Sequence, residues 1–147
     1  MSPQIVTAEP ISWELGREAI PLDPRTVLSG SPVTRSRHVA RSHDLTEDIL
    51  VWECTAGVFT WKYAKDETIV VVSGEVFLTP ENGEERRLGP GDLAFFPAGS
   101  SCQWRVPVRV RKVAVEREAL WRPLGFGWKG WKKMLRVLGI KRRASLS

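Results

Sequence analysis

The stretch Gly91–Trp104, GDLAFFPAGSSCQW, decides how the rest of the chain is read. Gly91 and Asp92 end a tight turn begun by Gly89 and Pro90, and Pro97 and Gly99 supply a second one six residues later. Glycine reaches backbone angles closed to other residues, and proline presets its own, so the pair marks chain reversals. Between the turns runs LAFFP (Leu93–Pro97), and after them CQWRV (Cys102–Val106), both short, apolar and aromatic. Such segments bounded by turn formers read as β-strands.

Working outward, the same signature recurs in ILVWEC (Ile49–Cys54), GVFTWKY (Gly57–Tyr63), TIVVVSG (Thr68–Gly74), EVFLT (Glu75–Thr79) and VRKVAVE (Val110–Glu116). PENGEE, around Asn82 and Gly83, is a hairpin signal, and Gly74 reads as a bend between strands. In RVPVRVRKV (Arg105–Val113), apolar and basic residues alternate, which predicts one buried and one wetted face. Pro107 cannot donate to a ladder and is expected at an edge or a strand start. Many short strands with regular turns, and no internal repeat, predict an all-β sandwich or barrel.

The flanks differ in kind. Residues 1–32 contain five prolines, Pro3, Pro10, Pro21, Pro24 and Pro32, and read as an extended arm that packs over the domain. If Gly127–Ile140 is helical, a rotation of about 100° per residue gathers Trp128, Trp131, Met134, Leu135 and Leu138 on one arc. Lys129, Lys132, Lys133 and Arg136 then occupy the opposite arc. The predicted organisation is an arm over 1–32, a barrel over 33–118 and a basic amphipathic tail over 119–147.

At 147 residues, the chain suits one ordinary domain with appendages. Its formal charge of +5 conceals a division: residues 1–121 carry net −3, and residues 122–147 carry +8 with no acidic side chain. An acidic domain without a reader motif argues against nucleic-acid binding. Cys54 and Cys102 are too few for a disulfide framework and suit a reducing compartment. Glu9, Glu14, Glu18 and Asp23 interrupt the early residues, so neither a secretory signal nor a membrane span is expected, and the expected location is cytoplasmic.

These residues together resemble the small single-domain cupins of the (S)-ureidoglycine aminohydrolase-type cupin domain subfamily, within the RmlC-like superfamily. The resemblance covers about Leu22 to Glu116 and includes LDPRTVLSGSP, VWECTAGVFTW, SGEVFLT, GPGDLAFFPAG and VRKVAV. The second cupin motif has its spacing matched by Gly91, Pro97, Gly99, Cys102 and Val106, with cysteine where histidine is usual and valine where asparagine is usual. In the first motif, Glu67 and Gly74 fit the second half. Trp61 and Tyr63, or Thr60 and Lys62 in the other register, stand where the metal-ligand histidines belong. The resemblance implies an antiparallel jelly-roll barrel and, in its family, pairing of barrels into a homodimer.

Glu67 and Cys102 are the ligand-capable residues left at the motif positions, a pair of mixed softness that makes a poor metal site. His38 and His43 lie upstream and read as surface or strand histidines. No metal or other cofactor is therefore expected. Glu67, desolvated in an aromatic barrel, is the candidate catalytic acid or base, with Tyr63 and Lys65 as partners. An ion pair with Lys62 or Lys65 is the plainer alternative. Cys102 reads as a buried inert thiol.

Trp61, Trp104, Phe59, Phe77, Phe95 and Phe96 are candidates to fill the core or line a cavity, and the expected pocket consists of Trp61, Tyr63, Glu67, Cys102 and Trp104. The leading expectation is a cupin that binds a small metabolite in a barrel without its metal-ligand histidines. Two alternatives stand beside it: an enzyme of the ureidoglycine aminohydrolase-like kind, and a peripheral membrane or assembly protein acting through the basic tail, which would meet an anionic membrane surface.

Overall fold

Strand-forming residues dominate the chain between Val27 and Arg117, and in the structure, a computed structural model, they form eight strands. It describes residue 11, residues 19–119, and residues 130, 131, 133 and 134. The strands are β1 (Val27–Gly30), β2 (Thr34–Arg41), β3 (Glu47–Lys62), β4 (Asp66–Gly74), β5 (Val76–Pro80), β6 (Arg86–Leu88), β7 (Leu93–Phe96) and β8 (Ser101–Arg117). All pairings are antiparallel. The expected all-β jelly-roll architecture is what the described residues adopt. The tail expected to form an amphipathic helix lies outside them, apart from four residues with helical backbone, of which Trp131 and Met134 are exposed.

Two long strands organise the barrel. The sequence suggested separate segments at 49–54 and 57–63, and again at 102–106 and 110–116, but each pair is one continuous strand, β3 and β8. They lie side by side from Glu47↔Arg117 to Lys62↔Ser101, with a bulge between Thr55 and Gly57. The first part of β3 and the last part of β8 join β2, β4 and β7 in one wall. The remaining parts join β1, β5 and β6 in the other.

Pro107 is therefore neither at an edge nor at a strand start. It sits mid-strand at the bulge, where the ladder is interrupted and a missing N–H costs nothing. Val108 beside it is 77% exposed, so the predicted burial of every valine in this run fails where the bulge breaks the alternation.

Between the walls lies the core, including Phe59, Ile69, Val71, Val76, Leu78, Phe96, Trp104 and Val110. Leu22, from the segment preceding β1, joins it. Phe59 and Trp104, paired across β3 and β8, are stacked with centroids 6.0 Å apart. Phe77 and Phe95 are not core residues. Phe77 lies outside beneath the Arg105 guanidinium, 3.9 Å from the ring centre, and Phe95 is 58% exposed. The pleat sends alternate residues to opposite faces, and Val76, Leu78 and Phe96 take the inward positions.

The turns follow their residue types. β5 and β6 form the predicted hairpin, closed by Gly83 N–H donating to Pro80 O at 3.2 Å. Gly91 has φ +87°, and Gly89 N–H donates to the Asp92 carboxylate at 2.8 Å. Gly74, with φ +75°, turns the chain from β4 into β5 so close to β8 that an added Cβ would lie 2.0 Å from Arg109 O. Gly74→Ala should therefore lower unfolding free energy by about 3 kcal/mol, from left-handed strain plus a backbone clash. Urea denaturation checks this, and an unchanged midpoint would contradict it.

Candidate functional site

Glu67 lies on β4 and Lys112 on β8, both facing the barrel interior, where they form an ion pair. Each side chain is 7% exposed. Lys112 stands opposite Trp52 on β3 and opposite Val71 on β4, whereas Glu67 stands opposite Glu116. The two are thus four register positions apart, and the small Ala114, the inward residue between them on β8, leaves room for the lysine stem. The ammonium sits 4.6 Å from the Trp52 ring centre and 4.9 Å from that of Trp104, so it faces two π-systems as well as a carboxylate.

Tyr63 closes this arrangement from the end of β3. Its ring stacks on Phe96 at 4.3 Å with 5° between planes, and its hydroxyl accepts the Trp104 indole N–H at 2.9 Å. Burial, then the charge of Glu67, pushes the phenol well above its ordinary pKa, so Tyr63 stays neutral. Its backbone holds the Pro97–Ser100 turn, with Tyr63 N–H donating to Ser100 O at 3.0 Å and Gly99 N–H donating to Tyr63 O at 2.7 Å. The Asp66 carboxylate accepts Ala98 N–H at 2.8 Å. The Pro97–Ser100 turn is thereby fastened to the residues just before Glu67.

Of the five expected pocket residues, Trp61, Tyr63 and Glu67 border one hollow of about 190 Å³, together with Lys62, Ala64, Lys65 and Glu116. Trp104 is fully buried and meets the group through Tyr63 and Lys112. Cys102 stands opposite Trp61 in register but borders a different hollow, beside Leu78, Phe95 and Pro97. Burial pushes its thiol up to about 11 and that of Cys54 to about 12, so neither supplies a thiolate at neutral pH.

The partners expected for Glu67 are also corrected: Lys65 binds Glu118 at 2.7 Å, and Glu67 takes Lys112 in place of Lys62 or Lys65. Of the two histidines, His38 bonds to Asp48 at 2.9 Å and His43 lies in an exposed turn.

Trp52, Lys112 and Glu116 escaped the sequence reading. Trp52, Trp61 and Glu116 border the larger hollow, about 410 Å³, with Leu50, Thr60 and Ser36 among its other walls. Lys112 did leave a signal. Arg111 and Lys112 are adjacent, so strict alternation must turn one of them inward. Arg111 faces out and binds Glu53 at 2.6 Å.

Residues 42–114 match the family described as the EutQ-like cupin domain. The chain carries a EutQ-like cupin domain. Among solved structures, this cupin is similar to EutQ of Salmonella typhimurium LT2, with 26% identity over 60% of this chain and 72% of that one, and a TM-score of 0.52. EutQ of Clostridium difficile gives 25%, 62%, 66% and 0.52 for the same quantities. A protein of unknown function from Pseudomonas syringae pv. tomato gives 28%, 66%, 42% and 0.61, so the chain spans less than half of that protein. No curated protein matches the sequence.

The cupin fold implies a metal held by imidazole and carboxylate donors, and the residues of this cupin do not fit one. Glu67 is already bonded to an ammonium, which would repel a cation, and Cys102 opens elsewhere. Among the described residues, no three His, Cys, Asp or Glu side chains converge in a ligand set, and no helix is long and apolar enough to cross a membrane.

Glu116 is the counterpoint to Glu67. Burial, then the charge of Glu67, raises its pKa, with Lys65 and Lys112 opposing. The folded cupin therefore binds this proton more tightly than the unfolded chain does, and ionised Glu116 detracts from stability at neutral pH. The deficit vanishes below the ordinary carboxylate range, where both states are protonated. Glu116→Gln should raise the melting temperature by about 2–4 °C at pH 7 and leave it unchanged near pH 3.5. Melting curves across pH check this, and a gain that persists at the acid end would contradict it.

Proposed function

We propose that this barrel binds a small metabolite in the hollow bordered by Trp52, Trp61 and Glu116. The observation that supports it is an open space of about 410 Å³ with tryptophan walls and a few polar groups, Thr60, Ser36 and Glu116 among them. Concave, largely apolar sites with sparse polar groups are where small ligands bind. Lys112 and Glu67 neutralise one another, so a ligand need not compensate either charge. Cytoplasmic residence belongs to the same reading, since Cys54 and Cys102 are buried unpaired thiols.

The finer reading, an aminohydrolase-like enzyme acting on a ureido compound, would require Glu67 to exchange Lys112 for substrate before it could move a proton. Nothing in the Glu67 environment favours that exchange, so binding without turnover is the reading we adopt.

The test is a thermal-shift and tryptophan-fluorescence screen of the full chain against small amines, carboxylates, amino acids and ureido compounds. At least one class should raise the melting temperature of the native protein. Trp61→Ala should abolish the shift while retaining the β-rich circular dichroism spectrum. A screen in which no class perturbs either signal would overturn the proposal, and release of ammonia from a ureido compound would replace it with the enzymatic reading.

A further inference from the structure

Three charged side chains border the larger hollow: Asp23, which is bonded to Arg25 at 2.7 Å, Lys62, which is exposed, and Glu116, whose carboxylate stands beside the tryptophans. Glu67 is matched by Lys112. Asp48, the next carboxylate along the same register row, is bonded to Arg41 at 2.6 Å and to His38 at 2.9 Å. The carboxylate of Glu116, between Asp48 and Glu67 in that row, accepts no hydrogen bond from any described residue. The nearest cation paired with it is Lys65, at 3.9 Å, and Lys65 is itself bonded to Glu118 at 2.7 Å. With 29% of its side chain exposed, Glu116 borders both hollows, and so does Trp61. A carboxylate turned into a cavity without a hydrogen-bond donor leaves a position that a positively charged ligand satisfies.

The aromatic walls suit the same charge. Trp52 already carries one ammonium, that of Lys112, 4.6 Å from its ring centre. Trp61 meets Trp52 edge-on, with centroids 6.4 Å apart and 76° between planes, so the two indoles present surfaces in different directions around the cavity. Indole faces and a carboxylate around one space are the elements by which proteins hold organic ammonium groups.

From Glu116, Trp52 and Trp61 around this hollow, we infer that the ligand is a small organic cation bearing an ammonium group, which Glu116 binds as counter-ion and the two tryptophans enclose. The inference rests on the metabolite-binding reading above and supplies the ligand class.

The experiment titrates the full-length protein with choline, with ethylammonium as a smaller cation, with 3,3-dimethyl-1-butanol as the uncharged isostere of choline, and with acetate. Binding is followed by calorimetry and tryptophan fluorescence. At least one of the two cations should bind, and choline should bind at least about tenfold more tightly than its isostere, roughly the effect of one charge-assisted contact. Glu116→Gln should weaken the cations by about tenfold and leave the isostere unchanged, with the variant's melting curve showing that it remains folded. Equal affinities for choline and its isostere, or a Glu116→Gln variant that binds cations as before, would overturn the inference. Binding of the alcohol or acetate without either cation would overturn the cation class alone and leave the metabolite reading standing. Silence from these probes and from the wider screen would remove both.

Discussion

A lysine inside a β-barrel is tolerable only with a counter-charge, and the Glu67–Lys112 pair is the constraint on which the surrounding structure depends. Transferring either charge alone from water into an apolar interior costs several kcal/mol, far more than one packing contact returns. The pairing therefore specifies register. A one-residue slip of β8 would send Lys112 to solvent and turn Arg111 inward, away from Glu53. Trp52 and Trp104 flank the ammonium, and Tyr63 is held by Trp104, so β3, β4 and β8 are tied through one charged pair.

The two neighbouring glutamates differ in what the fold supplies to them. Glu67 is buried, partnered and structural in effect. Glu116, opposite it on the next strand, lacks a hydrogen-bonded cation and faces open space. Groups held at a cost to stability concentrate where a protein meets its ligand, because a ligand can satisfy what the fold leaves unsatisfied. The similar structures share the barrel, but a fold carries many functions, so a function is argued from the side chains around the hollow.

Much of the fold was legible because turns and strands are local. Gly89, Pro90, Gly91, Pro97 and Gly99 announced their reversals, and Asn82–Gly83 announced a hairpin. The continuity of β3 and β8 was not legible, since the segment around Thr55–Gly57 and Pro107 reads as a break when it is a bulge across which both strands continue. The Trp61, Tyr63 and Glu67 cluster was legible through motif spacing. Lys112 was hidden because a basic residue in an alternating run is assigned to the wet face, and only its adjacency to Arg111 betrays it. Phe95 and Phe77 misled for the reverse reason: hydrophobicity does not reveal parity along a strand, and parity decides which face a side chain takes.

The most direct test of the account is a double-mutant cycle by urea unfolding at pH 7, with Glu67→Gln, Lys112→Met and the combined variant. If the pair organises the barrel, each single substitution costs about 3 kcal/mol by leaving a buried group unmatched. The combined variant then costs well under their sum, with a coupling of about 2 kcal/mol or more. Single effects that add to within about 0.5 kcal/mol would show that the two residues act independently, contradicting the central place given to their interaction.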